Sequence, residues 1–112
     1  MKKKIPKILC ILPIRSGSKE VKNKNILNFR GNPLSFYAIS AAIKSKIFDK
    51  IIIATDSKKY VRIIKKFTKN QKVEFFIRSK KSASDNAQTE LVVKEVLKKF
   101  NTFDNTFLMQ VT

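Results

Sequence analysis

Histidine and tryptophan are missing from this 112-residue chain, and cysteine occurs once, glycine twice and proline three times. Each shortage closes off a class of chemistry. Without histidine there is no imidazole base, so Ser-His-Asp and Cys-His triads are excluded. With Cys10 as the single thiol there is neither an intramolecular disulfide framework nor a Cys/His zinc set. No apolar run approaches the roughly 18 residues of a membrane span. Ile8 to Ile14 after Lys2, Lys3 and Lys4 imitates a signal peptide, but the run is short, contains Pro13 and lacks a small-residue cleavage site. The expected location is the cytoplasm.

Acidic residues are also scarce, eight against 25 Lys or Arg, for a net charge of +17. Such an excess attracts polyanions without sequence preference. Composition offers a blander cause. Lysine outnumbers arginine 21 to 4, and Lys, Ile, Asn and Phe fill 52 positions, all with A/T-rich codons. The lysines are spread along the chain, so nucleic acid is not expected as the main partner, and neither is a membrane.

What is present is a regular alternation. Lys7 to Ile14 is short and nearly all apolar, as in a strand buried on both faces. Arg15 to Asn32 is polar, without a sustained period, and reads as a long loop of the kind that is usually functional. Asn32 and Pro33 suit a helix start, with Leu34, Ala38, Ala41, Ala42 and Ile43 apolar and an end near Lys46. Lys50 to Thr55 is a second buried strand. Asp56 or Ser57 caps a helix whose inner face is Tyr60, Val61, Ile64 and Phe67, ending at Asn70. Val73 to Arg78 is a third strand and Ser79 to Asn86 a second polar loop. Thr89 or a neighbour opens a helix with Leu91, Val92, Val96, Leu97 and Phe100 inward, and Asn105 to Val111 is a fourth strand.

This order predicts one α/β domain over residues 1–112, three-layered, with a mainly parallel sheet and crossover helices. Ligands of such sheets bind beyond the carboxyl ends of the strands. The loops after Ile14, Thr55 and Arg78, and the chain end at Thr112, all fall there. A hydrophobic strand followed at once by the end of the sequence suggests an incomplete sheet, the amino-terminal part of something larger.

Arg15-Ser16-Gly17-Ser18-Lys19, with Lys22, Lys24 and Asn25 following, sets a glycine, two hydroxyls and several cations directly after a strand. Amides, hydroxyls and cations in that arrangement cradle phosphate. Neither GxxxxGK[ST] nor GxGxxG is present, and a solvated basic loop would look much the same.

The wider pattern is more specific. Pro13, Arg15, Gly17-Ser18-Lys19, Lys24-Asn25, Gly31-Asn32-Pro33-Leu34 and Thr55-Asp56-Ser57 resemble, in order and spacing, the opening of the acylneuraminate cytidylyltransferases, the CMP-sialic acid synthetases. Arg78, Ala83-Ser84-Asp85 and Thr89 are similar to the family's Arg-Pro and Ala-Thr/Ser-Asp segments. Leu108 to Thr112 is similar to the start of its Leu-Leu-Gln-Pro-Thr-Ser motif. The resemblance implies a nucleotide-diphospho-sugar transferase-like, Rossmann-like fold and transfer of CMP from CTP to a nine-carbon acidic sugar, releasing pyrophosphate with Mg²⁺ assisting. It gives Arg15 and Lys24 the catalytic part, holding the triphosphate and stabilising the leaving pyrophosphate. Ser18 and Asn25 would shape the same loop, Arg78 and Thr89 would face the cytidine, and Gln110 would lie beside the sugar or nucleotide.

Asp56 fits either a metal-linked role or a helix cap, and Asp85 is similar; Cys10 reads as a buried strand residue. Three positions depart from the family pattern: Glu20 for a glycine, Ser79 for a proline and Val111 for a proline. By the same resemblance the acidic magnesium ligands, most of the sugar pocket and the segment forming a homodimer belong to a downstream half. Other ulosonic acids (Kdo, legionaminic or pseudaminic acid) are the alternative acceptors, and a non-catalytic basic module binding polyanions or nucleic acid is the alternative of a different class.

Overall fold

The computed structural model describes residues 6–14, 28–29, 32–78 and 89–109. In chain order the elements are β1 (Ile8–Pro13), β2 (Asn28–Phe29), β3 (Asn32–Pro33), α1 (Leu34–Ser45), β4 (Lys50–Thr55), α2 (Lys58–Phe67), β5 (Val73–Ile77), α3 (Thr89–Lys99) and β6 (Asn105–Leu108). Four strands form one sheet in the order β5-β4-β1-β6, every pairing parallel. The expected α/β class is the observed one.

Period-two alternation sorts the two faces of the sheet. Leu9, Ile11, Ile52 and Ala54 point to one side, where they pack with Val92 and Val96 of α3. Leu12, Ile14 and Ile53 point to the other and meet Ile39 of α1 and Tyr60 and Ile64 of α2. Cys10 and Ile51 continue that second face beneath Ala42 and Phe48. Because both faces are covered, β1 and β4 read as continuous apolar runs.

Each helix begins where the sequence provides a start. The Oγ of Ser57 accepts from the Tyr60 amide at 3.2 Å, so Ser57 is the cap of α2. At the far end of α1, Lys46 adopts φ 59°, a left-handed turn that glycine usually fills. Differences from expectation are local. Ala41 is exposed, and the buried positions of α1 are Ser35, Ile39 and Ala42, one helical stripe at i, i+4 and i+7. A two-residue antiparallel ladder, Asn28↔Pro33 and Phe29↔Asn32, interrupts the stretch read as loop and takes up Asn32. β6 ends at Leu108, where its ladder with β1 ends at Ile11.

Two carboxylates fasten the amino edge of the sheet. Asp49 Oδ2 accepts from the Ile8 amide and Asp104 Oδ2 from the Lys7 amide, each at 2.7 Å. The two outer strands differ. β5 carries Glu74, which meets Lys50 at 3.5 Å. β6 is uncharged and exposed along its length, with Phe107 49% and Leu108 42% accessible.

Candidate functional site at the carboxyl edge

The chain leaves β1, returns as β4 on one side of it, steps outward to β5, then crosses back to β6 on the other side. The direction of winding therefore reverses between β1 and β6. At such a reversal the connections leaving the two strands run to opposite faces of the sheet, the position where open parallel sheets bind ligands. Helices α1, α2 and α3 run back across the sheet, so their amino ends, at Leu34, Lys58 and Thr89, all lie toward this edge. Aligned peptide dipoles make such ends favourable for anions.

Backbone bonds fix the strand ends. The Ile14 amide donates to Ala54 O at 2.8 Å, the Met109 amide to Ile11 O at 2.9 Å, and the Arg78 amide to Thr55 O at 2.8 Å. The last of these holds Arg78 beside the start of α2, where the Ser57 amide donates to Thr55 Oγ1 at 3.3 Å. Arg78 is 8% exposed and Thr55 fully buried. A guanidinium kept this far from water is costly unless compensated. Nearby, burial raises the Tyr60 phenol above its ordinary 10.0, and the Asp56 carboxylate raises it further. Asp56 immediately precedes Ser57, the cap of α2.

Of the residues singled out in the sequence, Arg78 is placed at this edge with its side chain defined, and Thr89 is placed as the first residue of α3. Arg15, Ser18, Lys24, Asn25 and Gln110 lie outside the described residues, though they directly follow β1 or β6 in sequence or belong to the connection between β1 and β2. Ser35 was not foreseen. It is fully buried in the first turn of α1, and its Oγ has no hydrogen-bond partner among the described residues. Only its place on the Ile39–Ala42 stripe could have marked it. Among the described residues no three His, Cys, Asp or Glu side chains come together, so this part of the chain does not by itself compose a magnesium site.

The sequence model of the family described as cytidylyltransferase matches residues 9–110. The chain belongs to that family. It is 36% identical over 106 residues to the N-acylneuraminate cytidylyltransferase of Escherichia coli, covering 95% of this chain and 24% of that one. To the pseudaminic acid cytidylyltransferase of Campylobacter jejuni it is 35% identical over 91 residues, covering 81% and 38% respectively. To the CMP-N,N'-diacetyllegionaminic acid synthase of Legionella pneumophila it is 31% identical over 110 residues, covering 95% and 46%. This family member thus spans about a quarter to just under half the length of these relatives. A solved CMP:2-keto-3-deoxy-manno-octonic acid synthetase in complex with CTP superposes with a TM-score of 0.73 at 21% identity, over 93% of this chain and 39% of that one. That likeness establishes the nucleotidyltransferase fold. Among the described residues no helix is long and apolar enough to cross a membrane.

Proposed function

We propose that this chain is the CTP-binding portion of a cytoplasmic cytidylyltransferase that transfers CMP from CTP to an acylneuraminic acid, with release of pyrophosphate. The observation that carries the reading is the buried Arg78, held against Thr55 at the carboxyl edge of a sheet whose winding reverses beside β1. Cations of the β1 loop complement this edge. Arg15 and Lys24 hold the triphosphate and meet charge developing on the leaving pyrophosphate, work that needs fixed positive groups. The anomeric hydroxyl of the sugar attacks the α-phosphorus as the bond to pyrophosphate breaks, and its proton passes to solvent or to a base outside the described residues. Ser18 and Asn25 shape the loop, Arg78 and Thr89 face the cytidine, and Gln110 borders the nucleotide or sugar. Magnesium would accompany the triphosphate and offset its charge, with oxygen ligands outside the described residues. The longer protein acts as a homodimer.

The acceptor is a nine-carbon acidic sugar. The pseudaminic and legionaminic relatives match at nearly the same identity as the acylneuraminate enzyme, which keeps those ulosonic acids as the second reading.

Thermal-shift titration with CTP, ATP, GTP and UTP, each with and without Mg²⁺, tests the proposal, because a ligand bound to the native state alone raises its stability. Saturable stabilisation by CTP above the others, weakened in Arg15→Ala and Thr89→Ala, is expected. Equal shifts with all four nucleotides, lost steeply with salt, would replace it with a basic polyanion-binding module.

A further inference from the structure

At the amino edge of the sheet, opposite the candidate site, the fold gathers charge that the nucleotide chemistry does not use. The end of α1 brings Lys44 and Lys46, and the end of α2 brings Lys65, Lys66 and Lys69, all exposed. Lys72 precedes β5, and Lys98 and Lys99 close α3. The acids at this edge are already engaged: Asp49 and Asp104 accept backbone amides, and Glu74 meets Lys50. Cations at helix ends are favoured by the dipole, but that preference reaches only the last turn and does not account for Lys46, Lys69 and Lys72 beyond the helices.

Two further features share the edge. Ile47 is 52% exposed, although its neighbour Phe48 is buried. The left-handed turn at Lys46 places this apolar side chain in the α1–β4 connection between Lys46 and Lys50. At the same edge, a cleft of about 580 Å³ runs between the end of α2 and the start of β5, lined by Lys65, Lys69, Asn70, Gln71, Glu74 and Phe75. The Lys50–Glu74 pair joins the cleft to the Ile47 turn.

We propose that this amino edge is a docking surface for an anionic lipid bilayer, with the lysines against the headgroups and Ile47 entering the headgroup–acyl boundary. Lysine suits a diffuse negative surface, being a point charge on a flexible stem, whereas arginine suits directed phosphate recognition. An exposed isoleucine flanked in sequence by Lys44, Lys46 and Lys50 has a use at a lipid boundary and none in reading nucleic acid, which takes stacking or bidentate groups. Docked this way, the chain turns its nucleotide edge toward the aqueous phase. These lysines are scattered in sequence and come to one edge only when the helices fold back across the sheet.

Sedimentation of the full chain with phosphatidylcholine vesicles, with and without phosphatidylglycerol, tests the surface at physiological salt. Binding is expected only with phosphatidylglycerol. Each lysine near such a surface is worth about fivefold in partitioning, so Lys44→Glu with Lys46→Glu should cost about 25-fold or more. Lys58→Glu with Lys59→Glu changes net charge equally but lies about 15 Å away along α2, near two screening lengths, and should cost less than about threefold. Ile47→Ser, which leaves charge untouched, should cost about fivefold. Lys65→Gln with Lys69→Gln is a second edge pair should the first lower the melting temperature. Equal losses from the edge and distant pairs, no effect of Ile47→Ser, or tighter binding to a short DNA duplex than to the vesicles would each overturn the proposal.

Discussion

Cys10 offers a sharp test of how tightly the centre of the sheet is closed. Its side chain is fully buried among Ala42, Phe48 and Ile51, and burial lifts the thiol from its ordinary 9.0 to about 11. The sign follows from which state ionises first. Above pH 9 the unfolded chain loses the proton while the folded chain keeps it, so the native state is disfavoured as pH rises toward 11. Between pH 8 and pH 10 the two-unit gap removes about 1.3 kcal/mol of stability, a sizeable share of the roughly 5–15 kcal/mol of a small domain. The companion is Cys10→Val, which keeps an apolar strand residue and abolishes the ionisation. Tyr60, also raised, weakens both proteins equally at high pH and cancels in the difference. Urea unfolding at the two pH values should show wild type losing about 1.3 kcal/mol more than the variant. Equal losses would mean that the native thiol ionises as readily as in the unfolded chain and that water reaches the middle of β1.

Two further perturbations address the scaffold. Ile53→Ala empties a fully buried position beneath Tyr60 and Ile64 and should cost about 2–5 kcal/mol by denaturant titration; a loss under 1 kcal/mol would contradict the packing described. Ser57→Ala removes the acceptor of the Tyr60 amide and should cost about 1 kcal/mol, while Ser57→Asp should retain most of the stability if capping is the whole role.

The limits of α1, β4, α2 and α3 were readable because each carries a strong local signal: an apolar run between polar ends, or a hydroxyl before an amphipathic stretch. Lys50–Thr55 coincides with its expected span for that reason. The misses occurred where the deciding contact is distant in sequence. Ile39 rather than Ala41 lies on the buried stripe of α1, and periodicity alone does not fix that phase. The strand read over Asn105 to Val111 is observed as Asn105–Leu108, and Gln110 and Val111 lie outside the described residues. Of the residues named from the sequence motifs, Arg78 lies at the carboxyl edge. The motifs could not reveal the buried hydroxyl of Ser35, since a serine in a first helical turn ordinarily faces water.

The central position of β1 carries a consequence for how the protein is made. One neighbour, β4, follows about 40 residues later, and the bond from Lys7 to Asp104 joins positions 97 apart. During synthesis at about 5–20 residues per second, β1 and β4 can pair while roughly 50 residues before β6 remain to be added. For several seconds the first strand of the nascent chain would thus keep one side unpaired, holding Leu9 and Ile11 without Val92 and Val96 to cover them. Translation speed across residues 56–104, as much as the sequence itself, then governs how long this strand is exposed to mispairing before β6 is added.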